Sequence, residues 1–586
     1  MTNSEWTRRA VLATSLASLA CTGGSATDPQ ELTKSAQGKN KPGAGDPRPG
    51  KPDVKPGGGK DKPRKPEPGD HRLGGREAGD LYLPDGPGEA GKVRFTQSPA
   101  WFRNSVALFA PTCGSAGSGL MQFGPGSPPL KRHIGNFSEL PKLLAVARSM
   151  GSDILYLVDW YQNESGTESR KGDYYASKEL GGSAALKQGI AAVQAQGGRV
   201  ILYMEGFIVA RTSETGLKHG EDWSIKEASG ETLGKPYPGA FPMCPATEGW
   251  RKFVLGVGRR IVGEYGANGV FLDSYGIQTG WECHDPNHGH ELGKSGVFNR
   301  GCVEIVGELR KTIQTLDREA VVMCEGPEIL QMFGAADATL DWGIQRYVAR
   351  PVWDSVGQSD IFTTNFSFDD IHQLVAMGAK IALPPQFHDD PPQSAVAWVA
   401  SERKGRPQDR REEKALSALQ TFVDGILCGV HQVRNAGIAA GARVPGIDDV
   451  APRKLFADEW NSDTVEARFD ELAERAKELD AALAGVNLRS PAAHLGRVLR
   501  ARAAVAPIID AGATIKRIET DARNTVAWQF DGPGGRCVTA VNTGNDAVTV
   551  ALPDGRWEEL VSGKPAGKAR LELAGHSVAI LTSRGA

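Results

Sequence analysis

Between residues 106 and 383 the chain repeatedly interrupts helical patterns with short apolar runs, and those runs are continuous rather than alternating. They are Val106–Ala110, Ile154–Val158, Val200–Met204, Gly269–Leu272, Ala320–Cys324, Ala338–Leu340, Ile361–Thr364 and Lys380–Leu383. A strand with one wet face alternates apolar and polar residues. A strand buried on both faces does not, and such strands belong to parallel sheets. The intervening segments have helical periodicity, as in Trp250, Phe253, Val254, Val257 and Ile261. Repeated βα units of this length fit a closed (β/α)8 barrel or an open doubly wound sheet. No GxGxxG or GxxxxGK[ST] follows an early run, which weakens the nucleotide-binding open sheets. The expectation is a (β/α)8 TIM barrel. The spacing leaves open which run is its eighth strand.

The runs end in acids: Asp159, Glu205, Asp273 and Glu325, with Asp341 a fifth. One acid after a strand is commonplace as a helix cap. In a barrel, however, the C-terminal strand ends ring one cavity, where active sites sit. Several carboxylates converging there repel one another unless they hold a cation or handle protons. Paired carboxylates at a barrel mouth are the working parts of most glycoside hydrolases. In NGVFLDSYG, Asp273 is the candidate nucleophile, with Tyr275 close enough to orient it or line a sugar site. In VVMCEGP, Glu325 is the candidate acid/base, one strand further on. Adjacent strands lie about 4.8 Å apart, within reach of the roughly 5–5.5 Å separation of a retaining pair, and the wider separation of an inverting pair is the open alternative. Asp159, Glu205 and Asp341 are candidate substrate-binding acids. Trp160, Tyr161, Phe207, Trp281 and Trp342 are aromatics able to stack on sugar rings, and Trp160 and Trp342 directly follow acids.

The segment GWECHDPNHGHELG places His284, His288 and His290 within seven residues, beside Cys283 and Asp285. It reads as a substrate loop above Asp273, with His288 and His290 as binding residues. A divalent metal on His284, His288 and His290 is the alternative, and a plain polar loop is a third reading. No cofactor is expected otherwise.

The two ends differ in texture. From about 513 the chain alternates turns and strand patterns, including Cys537–Asn542, Ala547–Leu552 and Ser577–Leu581, so 511–586 is read as a small antiparallel β-sandwich. The barrel and its trailing helices then occupy 93–510, with an amphipathic helix at Thr464–Leu483 and a last barrel helix near Ala415–Val430. In residues 41–70 half the positions are Pro or Gly, with eight Lys/Arg against five Asp/Glu. Such a segment cannot bury enough surface to offset its ordering entropy, so 22–92 reads as a disordered linker. Arg8–Arg9 precede a short apolar stretch ending at Cys21. That layout suggests a twin-arginine lipoprotein signal over 1–21, with Cys21 lipidated. The expected location is then the cell envelope of a bacterium, periplasmic or surface-facing, with membrane contact only through that anchor. A formal net charge of −2 gives no electrostatic case for nucleic acid.

Four motifs together, MCPATEGWRKFV, NGVFLDSYG, ECHDPNHGHELG and VVMCEGPEI, resemble the DUF6259 family, a group of glycoside-hydrolase-like (β/α)8 proteins. The resemblance covers roughly 100–385. It implies a carbohydrate-active barrel, with Asp273 and Glu325 at the matching motif positions. The layout is also similar to α-amylase-like and endo-α-N-acetylgalactosaminidase-like barrels. Alpha-galactosidase-like barrels use an acid after strand 6, where this chain offers Asp341. The leading expectation is an exported glycoside hydrolase acting on a carbohydrate, possibly polymeric. The alternatives are a non-catalytic glycan-binding surface lipoprotein and a metal-dependent hydrolase.

Overall fold

The computed structural model describes residues 98–113, 132–162, 171–234, 239–326, 330–342, 361–364, 367–405, 429–444, 462–510 and most of 513–583. The expected signal, Cys21, the linker and the helix at Ala415–Val430 lie outside, save for the last two residues of that helix.

Eight parallel strands close a barrel. They are β1 (Ala107–Phe109), β2 (Ile154–Leu157), β3 (Arg199–Glu205), β4 (Gly269–Asp273), β5 (Val321–Glu325), β6 (Ala338–Trp342), β7 (Ile361–Thr364) and β8 (Lys380–Leu383). Each pairs with its neighbour in chain order, and β8 returns to β1 through Ala107↔Ile381 and Phe109↔Leu383. The run at 380–383 is thus the eighth strand. The barrel residues of β2 and β8 are buried throughout, as the continuous runs require.

Helices cover the outside where the 3.6-residue pattern placed them. Leu140–Ser149 (α1) buries Leu140, Leu143, Leu144 and Ala147. Gly182–Ala195 (α2) buries Leu186, Ile190 and Val193. Glu248–Arg259 (α3) buries Trp250, Val254 and Val257, and Ser295–Gln314 (α4) buries Ile305, Val306, Leu309 and Ile313. Phe368–Ala376 (α5) links β7 to β8. After β8 come Ala395–Gly405 (α6), Ser462–Ala482 (α7) and Pro491–Ala504 (α8). The amphipathic stretch expected at Thr464–Leu483 is α7, and its Phe469, Leu472, Ala476 and Leu479 are buried. Among the described residues no helix is long and apolar enough to cross a membrane.

The C-terminal unit is antiparallel. Thr514–Ile518 (β9), Thr525–Gly532 (β10), Gly535–Asn542 (β11), Trp557–Glu559 (β13) and Ser577–Ser583 (β15) form a five-stranded sheet in the order β9-β10-β11-β15-β13. Val548–Ala551 (β12) and Arg570–Leu573 (β14) form a two-stranded sheet. Strand alternation explains how it serves two partners. Val538, Ala540, Ala579 and Leu581 face Val550, Leu571 and Leu573 of the small sheet. Cys537, Val541, Val578 and Ile580 on the opposite face join the barrel's core. On that face the Thr539 hydroxyl donates to the Ala376 carbonyl at the end of α5.

Candidate functional site

The period of two along a strand sets the site. In β3, Tyr203 and Glu205 share a face. So do Phe271 and Asp273 in β4, and Met323 and Glu325 in β5. Pairing aligns them across strands: Glu205 is the register partner of Asp273, and Leu272 that of Cys324. Three carboxyls therefore end three adjacent strands. Below them lies an aromatic layer, with Tyr203 6.1 Å from Phe271 and Tyr156 of β2 5.0 Å from Phe271, ring centre to ring centre.

The three acids are held differently. Glu205 is fully buried and ion-pairs with Lys171 at 2.7 Å, itself 3% exposed. Its other oxygen accepts the Phe207 N–H at 3.0 Å. Burial works against its charge, but Lys171 and the hydrogen bonds from Lys171, Ser274 and Phe207 outweigh it and hold the carboxyl below the usual range. Asp273 accepts the Tyr203 hydroxyl at 2.7 Å and lies 3.8 Å from Lys171 Nζ. Burial first, and the Glu205 charge second, push it up to about 6. Lys171, Tyr203 and a hydrogen bond with the Glu325 carboxyl all pull it the other way. Glu325 is 3% exposed, and its Oε2 accepts the Ser274 N–H at 3.0 Å.

That last bond depends on an unusual backbone. Ser274 has φ +67, the left-handed region that non-glycine residues seldom enter. Such conformations cost about 1–3 kcal/mol and gather at functional sites. The turn after Ser274 needs a true glycine. Gly276 has φ +106, and a Cβ there would lie 2.4 Å from the Glu325 carbonyl oxygen. Gly276→Ala should force β5's end aside, destabilise the fold by about 1–3 kcal/mol and lower turnover by misplacing Glu325. Unchanged thermal stability and activity would show that the turn does not hold Glu325.

The other expected residues have varied surroundings. Asp159 turns toward the loop after β1, where it accepts the Cys113 N–H at 3.1 Å and the Cys113 thiol at 2.8 Å. Trp160 corrects its expectation as a stacking platform. It is fully buried, and its indole N–H donates to the Tyr203 carbonyl at 2.9 Å. Tyr275 is also no mouth residue. Its hydroxyl accepts the Trp250 indole N–H at 2.9 Å, behind the barrel wall. Phe207 and Trp281 pack on each other at 5.6 Å. Asp341 and Trp342 are the last two residues of β6, and their side chains lie outside the described residues.

The hydrogen bonds described for His288 and His290 do not include Asp273. The two rings meet Cys283 and Cys244 instead: His288 Nδ1 is 3.3 Å from Cys283 Sγ, and His290 Nε2 is 3.4 Å from Cys244 Sγ. His284 is outside that group, 3.9 Å from Glu282. The expected metal set of His284, His288 and His290 is therefore replaced by one that draws in two cysteines.

Sequence reasoning missed Lys171, Tyr203 and Cys244. Tyr203 carried a signal, two residues before an acid on an inward-facing strand. Lys171 and Cys244 carried none, since each lies in a loop and meets its partners only through the fold.

Residues 91–357 match the model of DUF6259, a domain of unknown function. The matched segment covers a little under half of the chain. It runs from just before β1 to beyond β6 and contains all three acids. A Bacteroides thetaiotaomicron protein named "Putative glycoside hydrolase" is 28% identical over 158 residues, 26% of this chain and 23% of that protein. The match thus spans under a quarter of that relative's length. Among solved structures, a MutB mutant in complex with glucose has TM-score 0.52 at 12% identity, covering 83% of this chain and 100% of its own. The alpha-glucosyl transfer enzyme XgtA has TM-score 0.50 at 14% identity, with the same coverages. At such identities the likeness is one of fold: the matched segment and the residues C-terminal to it share the barrel architecture of these enzymes.

Proposed function

We propose that the protein is a glycoside hydrolase in which Asp273 is the nucleophile and Glu325 the acid/base. The observation that carries this reading is that Asp273 and Glu325 end the adjacent strands β4 and β5, with the Ser274 N–H of the turn after β4 donating to Glu325 Oε2. In this reading Glu325 carries the proton to give and Asp273 is the carboxylate that attacks. Their places on adjacent strands, about 4.8 Å apart, suit the roughly 5–5.5 Å of a retaining pair better than the roughly 6.5–9.5 Å of an inverting one. The glycosidic oxygen would enter between the two.

The charge balance agrees. Lys171 ion-pairs with Glu205, so a protonated Glu325 would leave a single net negative charge, on Asp273. Such a charge, fixed and desolvated beside the anomeric carbon, stabilises an oxocarbenium-like transition state. The Tyr203 hydroxyl fixes one Asp273 oxygen and leaves the other to attack. Lys171 and Glu205 are positioning residues here. The relative's name supports a carbohydrate substrate, and export with lipidation at Cys21 belongs to the same proposal. A metal-dependent hydrolase is disfavoured because the Cys/His cluster does not include Asp273.

The test is covalent trapping. Incubating the protein with 2-deoxy-2-fluoro glycosides bearing activated leaving groups should add one glycosyl mass, mapped to the peptide containing Asp273. Turnover of the parent aryl glycosides without any adduct would indicate inversion. An adduct on another residue would reject Asp273, and absence of both turnover and adduct across a broad panel would favour the glycan-binding alternative.

A further inference from the structure

Cys244, Cys283, His288 and His290 place one ligand atom each within 4.8 Å of all the others. We propose that they form a tetrahedral Cys2His2 zinc site that clamps the loop after β4 to the excursion after β3. This stands independently of the glycosidase reading.

The distances fit the ion. Zn–S of about 2.3 Å and Zn–N of about 2.0–2.1 Å give tetrahedral edges of roughly 3.3–3.8 Å. The two sulfur–nitrogen edges observed are 3.3 and 3.4 Å. Both imidazoles are already oriented. His288 Nε2 donates to the Asp222 carbonyl at 2.9 Å, which leaves the lone pair on Nδ1 facing Cys283. His290 Nδ1 donates to the Glu291 carbonyl at 2.8 Å, which leaves the lone pair on Nε2 facing Cys244. Tying the second ring nitrogen to a carbonyl is how metal-ligating histidines are held.

The loop is built to deliver these groups. Asp285 accepts the Asn287 N–H at 2.8 Å and starts a single turn over Pro286–His288. Gly289, at φ +71, then reverses the chain so that His288 and His290 face the same point. Cys244 arrives from the other side, just beyond the short strand Ala240–Pro242. Cys244 and Cys283 are 2% and 5% exposed, and His288 is 8% exposed. All four ligand positions come from protein, as in structural rather than catalytic zinc sites. The clamped segments come directly after the strands carrying Glu205 and Asp273.

The experiment is metal analysis of the full chain purified without chelator. About one zinc per chain is expected, retained in His284→Ala and reduced at least roughly tenfold in Cys244→Ser and His290→Ala. Because a variant could misfold, the parent supplies a second readout. Protein stripped with chelator and refilled with Co2+ should show visible bands of tetrahedral cobalt and near-ultraviolet thiolate-to-cobalt bands. Less than roughly a tenth of a zinc per chain after ZnCl2 reconstitution would overturn the proposal. So would a Cys244–Cys283 disulfide in non-reduced peptide maps, or cobalt spectra lacking the thiolate bands.

Discussion

Asp273→Asn should abolish turnover and raise thermal stability at neutral pH in the same protein. Removing a nucleophile costs on the order of 10^4-fold or more in kcat/KM, about 5.5 kcal/mol of transition-state stabilisation. Glu325→Gln should lose roughly 10^2–10^4-fold on poor leaving groups and far less on activated ones, whose departure needs no proton. The stability gain has a definite pH dependence. Asp273 has its pKa raised in the fold to about 6 from an ordinary value of 3.8. Below about pH 4 the group is protonated in both folded and unfolded chains and contributes no difference. As pH rises toward about 6, the unfolded chain releases its proton first, so folding is progressively penalised. Two pH units correspond to roughly 3 kcal/mol, fully present above the folded pKa. The asparagine carries no such penalty. Melting temperatures of parent and variant should therefore coincide near pH 4, diverge up to about pH 6.5, and stay apart above it. A constant gap across this range would mean that Asp273 is not a strained charge. Equal turnover in both proteins would remove it from the chemistry.

Much of this was legible because barrel strands carry two signals at once. The continuous run VFL marks burial on both faces, and the acid that ends it marks the mouth, so Asp273 and Glu325 could be named from local sequence. Even the eighth strand was present as KIAL, although nothing local ranked it above its neighbours. Only closure against β1 does that. What stayed hidden is contact between segments remote in sequence. Trp160 follows an acid as a sugar-stacking residue would, yet its indole is spent on the Tyr203 carbonyl. Tyr275 lies two residues from Asp273, but on a turn that sends it behind the wall to Trp250. The histidines of 284–290 announced a ligand-like cluster. Which of them belong to it is decided by Cys244, some forty residues earlier in the chain.

Lys171→Met should be the most destabilising single change near the site. Lys171 and Glu205 are 3% and 0% exposed, so neither can exchange its partner for water. Breaking a buried pair by removing one member costs about 3–5 kcal/mol, because the other charge is left uncompensated. In a chain of this length that is on the order of 3–5 °C on the apparent melting temperature. The sign of the pH dependence follows from Glu205. Its folded pKa is depressed, chiefly by Lys171 against the opposing effect of burial. The pair's contribution is thus present above the ordinary carboxylate value of 4.5 and is lost as pH falls through the depressed one. In Lys171→Met, Glu205 can escape only by taking up a proton, so the deficit should be small in acid and grow toward neutrality. The double variant Lys171→Met, Glu205→Gln should recover most of it, since the orphaned charge is gone. Turnover supplies a readout that a purely structural role would not move. Lys171 also draws down the pKa of Asp273 from 3.8 Å away. Without it the acidic limb of the kcat/KM profile should shift to higher pH, as the nucleophile ionises later. If the double variant were as unstable as the single one, and the acidic limb stayed in place, Lys171 would be packing the mouth rather than setting its charge.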